Sequence, residues 1–165
     1  MIVIQVVGYK NSGKTTLINN WIDYLQQTGY LVATIKHHGH GGEPDQVKHT
    51  DSYQHVESGA VLSTVKGAQQ FVMTGRNEQL SLSQLLDIYD ILNIDVVIVE
   101  GYKSVPFPKI VLLREGDEKL LKDTENVKAI CHSFDDKRNR ELIKQIAQDF
   151  EEFDWNKIKK KLTHL

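Results

Sequence analysis

The chain has one cysteine, Cys131, so an internal disulfide is impossible. A reducing compartment is the natural setting for such a chain, and Cys131 reads as a small buried hydrophobe. An excess of either charge is also missing. Lys and Arg total 20 against 22 Asp and Glu, for a formal net charge of -2. That argues against binding nucleic acid or an anionic membrane through overall charge. No apolar run approaches the roughly 20 residues that a membrane span needs. The run Ile2 to Val7 is too short for a secretory leader and lacks the basic flank, so the cytoplasm is the expected compartment. Repeats and low-complexity segments are absent. With 165 residues, 40% hydrophobic and 25% charged, the expectation is a single globular domain over residues 1–165, able to bury a core without staples.

What is present alternates between two periodicities. Ile2 to Val7 is an apolar run rich in β-branched residues, the pattern of a parallel strand buried on both faces. After a Gly-bearing turn, Leu17, Ile18, Trp21, Ile22 and Leu25 mark one face of a helix, which Gly29 ends. Leu31 to Lys36 reads as a second strand and residues 37 to 49 as a long loop, a feature often functional in compact domains. A short helix is predicted over Asp51 to Ser58. Strands Val61 to Val65 and Gln70 to Thr74 flank Lys66 and Gly67 as a β-hairpin. A helix over Ser81 to Leu92 precedes the very apolar strand Asp95 to Glu100. Further strands are predicted at Lys109 to Leu113 and Val127 to His132. A helix is predicted over Asp136 to Phe150, facing Leu142, Ile143, Ile146, Ala147 and Phe150 inward. Lys157, Lys159, Lys160 and Lys161 then read as a solvated helix face. The fold class is α/β: a P-loop NTPase-type, mostly parallel sheet flanked by helices, with the hairpin as an antiparallel insertion.

The segment Gly8-Tyr9-Lys10-Asn11-Ser12-Gly13-Lys14-Thr15 fits G-x-x-x-x-G-K-[ST] in full. A buried strand precedes it and an amphipathic helix follows, as the motif requires. Gly8 and Gly13 permit backbone that a Cβ would forbid, so the loop N–H groups converge on phosphate oxygens and the helix N-terminus adds to the field. The expected nucleotide-binding set is Gly8, Asn11, Ser12, Gly13, Lys14, Thr15 and Thr16. Lys14 reaches the β- and γ-phosphates, and the Thr15 hydroxyl ligates Mg2+. Ligands in open α/β sheets bind beyond the carboxyl ends of strands. Of the two acids that bracket Val96 to Val99, Glu100 is therefore the one at the metal site. Asp95 lies roughly 16 Å away at about 3.3 Å per residue. No residue is assigned as catalytic.

Five of the seven histidines fall between residues 36 and 60. Lys36 and His37 close a strand at the ligand edge and are placed, with Asp51, in a ligand loop that contacts an anionic group. Here the sequence resembles the MobB family, the molybdopterin-guanine dinucleotide biosynthesis adapter protein B. The resemblance rests on the P-loop, Thr34-Ile35-Lys36-His37, Asp45, Asp51-Ser52, Ser58-Gly59-Ala60, Val99-Glu100-Gly101-Tyr102-Lys103 and Pro108-Lys109-Ile110. It runs from residue 2 to about residue 114. Lys48-His49-Thr50-Asp51-Ser52 departs from the Gly-Lys-Asp-Ser run frequent in that family. The resemblance implies a weakly hydrolysing GTP-binding homodimer that assists the molybdenum-cofactor guanylyltransferase in attaching GMP to molybdopterin. GTP comes from the resemblance alone, because the guanine-reading Asn/Thr-Lys-x-Asp motif is missing. Two alternatives remain: a GTP-dependent metallochaperone using His37, His38 and His40, and a small-molecule kinase. The four arginines (Arg76, Arg114, Arg138 and Arg140) are not clustered as a kinase lid would have them.

Overall fold

The structure, a computed structural model, describes residues 1–37, 50–76, 80–132, 135–148 and 151–162. The strands are β1 (Ile2–Val7), β2 (Val32–Lys36), β3 (Leu62–Lys66), β4 (Phe71–Gly75), β5 (Val96–Glu100), β6 (Lys109–Leu113) and β7 (Val127–His132). The helices are α1 (Lys14–Gln27), α2 (Asp51–Glu57), α3 (Leu82–Ile91), α4 (Lys119–Lys122), α5 (Asp136–Gln148) and α6 (Trp155–Leu162). They fall into two compact units, Met1–Gly39 with Tyr89–Leu165, and His40–Ile88.

The first unit is built on a five-stranded sheet in the order β2-β5-β1-β6-β7, parallel throughout. β1 is central and buried at all six positions, which is why its sequence is apolar on both faces except at Gln5. β5 pairs with β1 along its length, from Ile2↔Val96 to Val6↔Glu100. On the other edge β6 covers only Gln5 to Val7. The start of that edge is closed by the segment before α6: Val3 N–H donates to Phe153 O (2.8 Å), and Ile2 bridges Asp154. One sheet face presents Ile2, Ile4, Val6, Val96, Ile98, Ile110 and Leu112 to Leu17, Ile18, Trp21 and Leu25 of α1 and to Ile143, Ile146 and Ala147 of α5. Each of the larger side chains buried there stabilises by about 1.5–3 kcal/mol. Trp21 Nε1 donates to Asn139 O (3.0 Å), tying α1 to α5. On the other face Val7, Val111 and Leu113 pack against Leu120. Past the end of α1, Gly29 takes φ +93° while Tyr30 N–H reaches back to Leu25 O (3.0 Å), the left-handed stop its sequence predicts. Cys131 is buried, and burial pushes its thiol up to about 12.

The second unit holds α2 and the antiparallel hairpin β3–β4, in register from Leu62↔Gly75 to Lys66↔Phe71. α2 packs on this hairpin. Thr50 Oγ1 accepts from Tyr53 N–H at the start of α2 (3.4 Å), and Asp51 is in its first turn.

Several boundaries differ from expectation. Both hairpin strands start one residue later, so Lys66 belongs to β3 rather than to the turn. Pairing register decides this, and the apolar pattern does not fix it. α4 was not predicted, being only four residues long. The lysine-rich tail is helical, but α6 is amphipathic: Trp155 and Ile158 are buried. Of the loop predicted over residues 37–49, all but His37 lies outside the described residues, as does the inward Phe150. No helix among the described residues is long and apolar enough to cross a membrane.

Candidate functional site

The strand–turn–helix at residues 2–27 builds a loop whose glycines do different jobs. Gly13 sits at φ +91°, the left-handed region, directly before α1, and only a residue without Cβ adopts that cheaply. Gly8 is needed for space instead. A Cβ there would meet Ser12 Oγ at 2.7 Å and Leu112 O at 3.0 Å. Asn11 also takes a left-handed φ of 60°, which asparagine tolerates better than most residues. Ser12 is buried, and its Oγ has no hydrogen-bond partner among the described residues.

α1 starts bare. No side chain caps it and no acid lies in its first turn, whereas α2 has both a cap and Asp51. The first N–H groups of a helix have no internal acceptor, and here no acid of the helix's own first turn competes for them. Lys14 Nζ folds back over the loop and donates to Tyr9 O (2.7 Å) and Gly8 O (3.3 Å). Burial pulls its pKa below the ordinary lysine value, Glu100 opposes that, and Lys103, Lys36 and Arg114 add to the lowering. Thr15 and Thr16 are exposed on the first turn.

Glu100 closes β5, level with Val6 on one side and Lys36 on the other. Its carboxylate lies 3.6 Å from Lys36 Nζ, and Lys36 is largely exposed, so the pair itself is weak. His37 N–H donates to Glu100 O (3.0 Å), and its ring tilts against Tyr102 with centroids 4.5 Å apart. Gly101, at φ +89°, passes so close to His37 that a Cβ would lie 3.2 Å from His37 Cβ. Lys103 Nζ stands 5.2 Å from the centre of the Tyr9 ring. Asp95 is at the other end of β5, where it serves the backbone: its Oδ2 accepts from Leu31 N–H (2.7 Å).

One edge of the first unit therefore gathers Gly8 to Thr16, Lys36, His37 and Glu100. Asp51 is the first residue of α2 in the second unit. His38 and His40 lie outside the described residues, and among the described residues no group of three potential metal ligands occurs. The sequence did not mark Gln5, and it named Arg114 only as one of four unclustered arginines. Arg114 follows β6, and its guanidinium grips Asp117 through Nε (3.1 Å) and Nη2 (3.3 Å). That hydrogen bond holds the Asp117 carboxyl below its usual range. Parallel pairing across 100 residues places Arg114 beyond the same strand ends as the loop, and no local motif announces it.

A family model described as molybdopterin guanine dinucleotide synthesis protein B, MobB, matches residues 3–133. The chain belongs to the MobB family. A relative from Bacillus subtilis, named as a probable molybdopterin-guanine dinucleotide biosynthesis adapter protein, is 37% identical over 133 residues, covering 79% of this chain and 75% of that protein. The Haemophilus influenzae molybdopterin-guanine dinucleotide biosynthesis adapter protein is 32% identical over 143 residues, covering 86% and 80%. A crystal structure of Bacillus subtilis MobB matches with a TM-score of 0.72 at 30% identity, covering 88% of this chain and 98% of that one. A MobB homologue from Bacillus stearothermophilus matches at 0.68 and 31%, covering 90% and 99%. The MobB match includes the loop, Glu100 and both strands of the hairpin. It stops before α5 and α6.

Proposed function

We propose that this chain is a GTP-binding adapter that assists guanylylation of molybdopterin in molybdenum-cofactor biosynthesis, hydrolysing its nucleotide only slowly. The observation that carries the nucleotide reading is the uncapped, acid-free start of α1 beneath the Gly8–Thr15 loop, with Lys14 resting on the loop's own carbonyls. Such a loop offers convergent N–H donors and a cation to a triphosphate. In this reading Asn11, Ser12, Gly13, Thr15 and Thr16 cradle the phosphates, and Lys36, His37 and Asp51 form the ligand loop. The Thr15 hydroxyl and the Glu100 carboxylate are hard oxygen donors of the kind Mg2+ takes, and they would hold it. The metal would neutralise phosphate charge. The names of the Bacillus subtilis and Haemophilus influenzae relatives support the adapter role. A homodimer working in the cytoplasm, with molybdopterin and the guanylyltransferase as partners, completes the proposal.

The test is nucleotide competition against a fluorescent GTP analogue in the presence of Mg2+. GTP is expected to displace it at concentrations well below those of ATP. Lys14→Ala is expected to weaken binding by about 1.5–3 kcal/mol, the worth of a hydrogen bond to a charged group, with the fold retained. Affinity unchanged by Lys14→Ala would refute the phosphate assignment, and ATP preferred to GTP would refute the base.

A further inference from the structure

Residues 101–108 connect β5 to β6, and their carbonyls are held by side chains from the sheet. Gln5 Nε2 donates to Gly101 O (2.7 Å) and Tyr102 O (2.6 Å). Lys109 Nζ donates to Val105 O and to Phe107 O (3.2 Å). Asn126 Nδ2 donates to Pro106 O (3.0 Å), and Val105 N–H closes a turn onto Tyr102 O (2.9 Å). Gln5 and Lys109 are register partners on β1 and β6, so they stand side by side on one sheet face.

Both side chains are costly to keep there. Gln5 is fully buried and Lys109 nearly so, and Gln5 Oε1 has no hydrogen-bond partner among the described residues. Burial also lowers the pKa of Lys109. Burying such polar groups carries a desolvation cost that apolar residues do not incur. What the polar pair provides is a fixed loop. With the carbonyls of Gly101, Tyr102, Val105, Pro106 and Phe107 held inward, the exposed Lys103 stands over Tyr9 of the phosphate loop, and Tyr102 lies against His37.

Resting on the phosphate reading above, we propose that residues 101–108 form a rigid second wall of the phosphate site, with Lys103 as its ligand-contacting cation and Gln5 and Lys109 as positioning residues that act through it. The ligand class is a polyphosphate: Lys103 adds a second cation beside Tyr9 of the loop that also carries Lys14, from a segment whose carbonyls Gln5, Lys109 and Asn126 already hold. Preorganisation of this kind raises affinity by removing the ordering cost.

A double-mutant cycle separates positioning from general destabilisation. GTP binding with Mg2+ is measured for the intact chain, Lys103→Ala, Lys109→Met, Asn126→Gly, and each of the last two combined with Lys103→Ala. Lys103→Ala is expected to weaken binding about tenfold or more. Lys109→Met is expected to weaken it although the residue is remote from the ligand, and to speed amide exchange over residues 102–107. In the Lys103→Ala background its further cost is expected to shrink below about twofold, as coupled residues require. Asn126 is exposed and its left-handed φ of 57° suits glycine, so Asn126→Gly carries the same comparison if Lys109→Met fails to fold. Full affinity in Lys103→Ala, or a cost of Lys109→Met undiminished by Lys103→Ala, overturns the proposal. Lys14→Ala keeps the two readings apart. If it also binds normally, the phosphate assignment falls and this proposal with it; if it binds poorly while Lys103→Ala binds fully, only the second wall falls.

Discussion

Glu100 and Asp95 flank the same four apolar residues of β5 and differ in what surrounds them. Asp95 is engaged with Leu31 N–H at an exposed position, and the amide oxygen of asparagine can accept the same bond, so Asp95→Asn is expected to cost less than about 1 kcal/mol of stability and leave nucleotide binding alone. Glu100 faces Lys36 at the strand's carboxyl end, and Glu100→Gln is expected to weaken the Mg2+ dependence of binding strongly. Isothermal titration at several Mg2+ concentrations checks this; equal effects from both variants would show that strand polarity does not select the acid. At this scale the sequence was informative wherever a residue's job is local. Gly13, Lys14 and Glu100 belong to contiguous patterns. Gln5 and Arg114 were not marked as site residues, because their placement arises from pairing across β1, β5 and β6, and Lys103 was quoted only within the family pattern Val99 to Lys103. Gln5 looks like an interruption in an apolar run until its register partner Lys109 is known.

The elements were legible in proportion to their length and periodicity. β1, α1, β5 and β6 have strong apolar signatures and occur where the pattern places them. α4 is too short for a period to register, and α6 hides two buried residues among lysines. The hairpin was recognisable as a hairpin, but its alternation does not reveal an inner face, and Leu62, Val65, Phe71, Val72 and Met73 are all exposed. Paired strands with this much uncovered apolar surface invite a partner. In the homodimer proposed above, the hairpin is the expected contact. Phe71→Glu combined with Val72→Lys is expected to shift sedimentation equilibrium toward monomer, each buried apolar side chain being worth about 1.5–3 kcal/mol, while GTP affinity is retained. A dimer of unchanged strength in this variant would remove the hairpin from the interface.

For the molecule as a whole, the position of its arginines bears on turnover. Arg114 is brought beyond the strand ends, yet two of its donors are committed to Asp117. Arg76 donates to Val56 O in the second unit (3.3 Å), and Arg138 and Arg140 are on α5. An arginine aimed at transferring phosphate is worth roughly 10³ to 10⁵ in rate where it is known. Hydrolysis by the chain alone is therefore expected to be slow. Single-turnover GTP hydrolysis, with and without the guanylyltransferase, measures it, and a solo rate above about 1 s⁻¹, within the range of ordinary enzymes, would contradict the adapter reading. The strands that carry the loop edge are also unequally paired. β1 is fastened along both sides, by β5 throughout and by β6 and Phe153–Asp154 in succession, so the loop it carries stands on a fixed foundation. β2 is fastened to β5 alone among the described strands, and Lys36 and His37 lie at the point where the chain leaves for the second unit. In the proposed GTP-binding reading, movement on nucleotide binding is therefore expected on the β2 side rather than in β1. On adding GTP, amide exchange is expected to change over residues 34–37 and to stay constant over residues 3–7; the reverse pattern would place the moving part in the central strand.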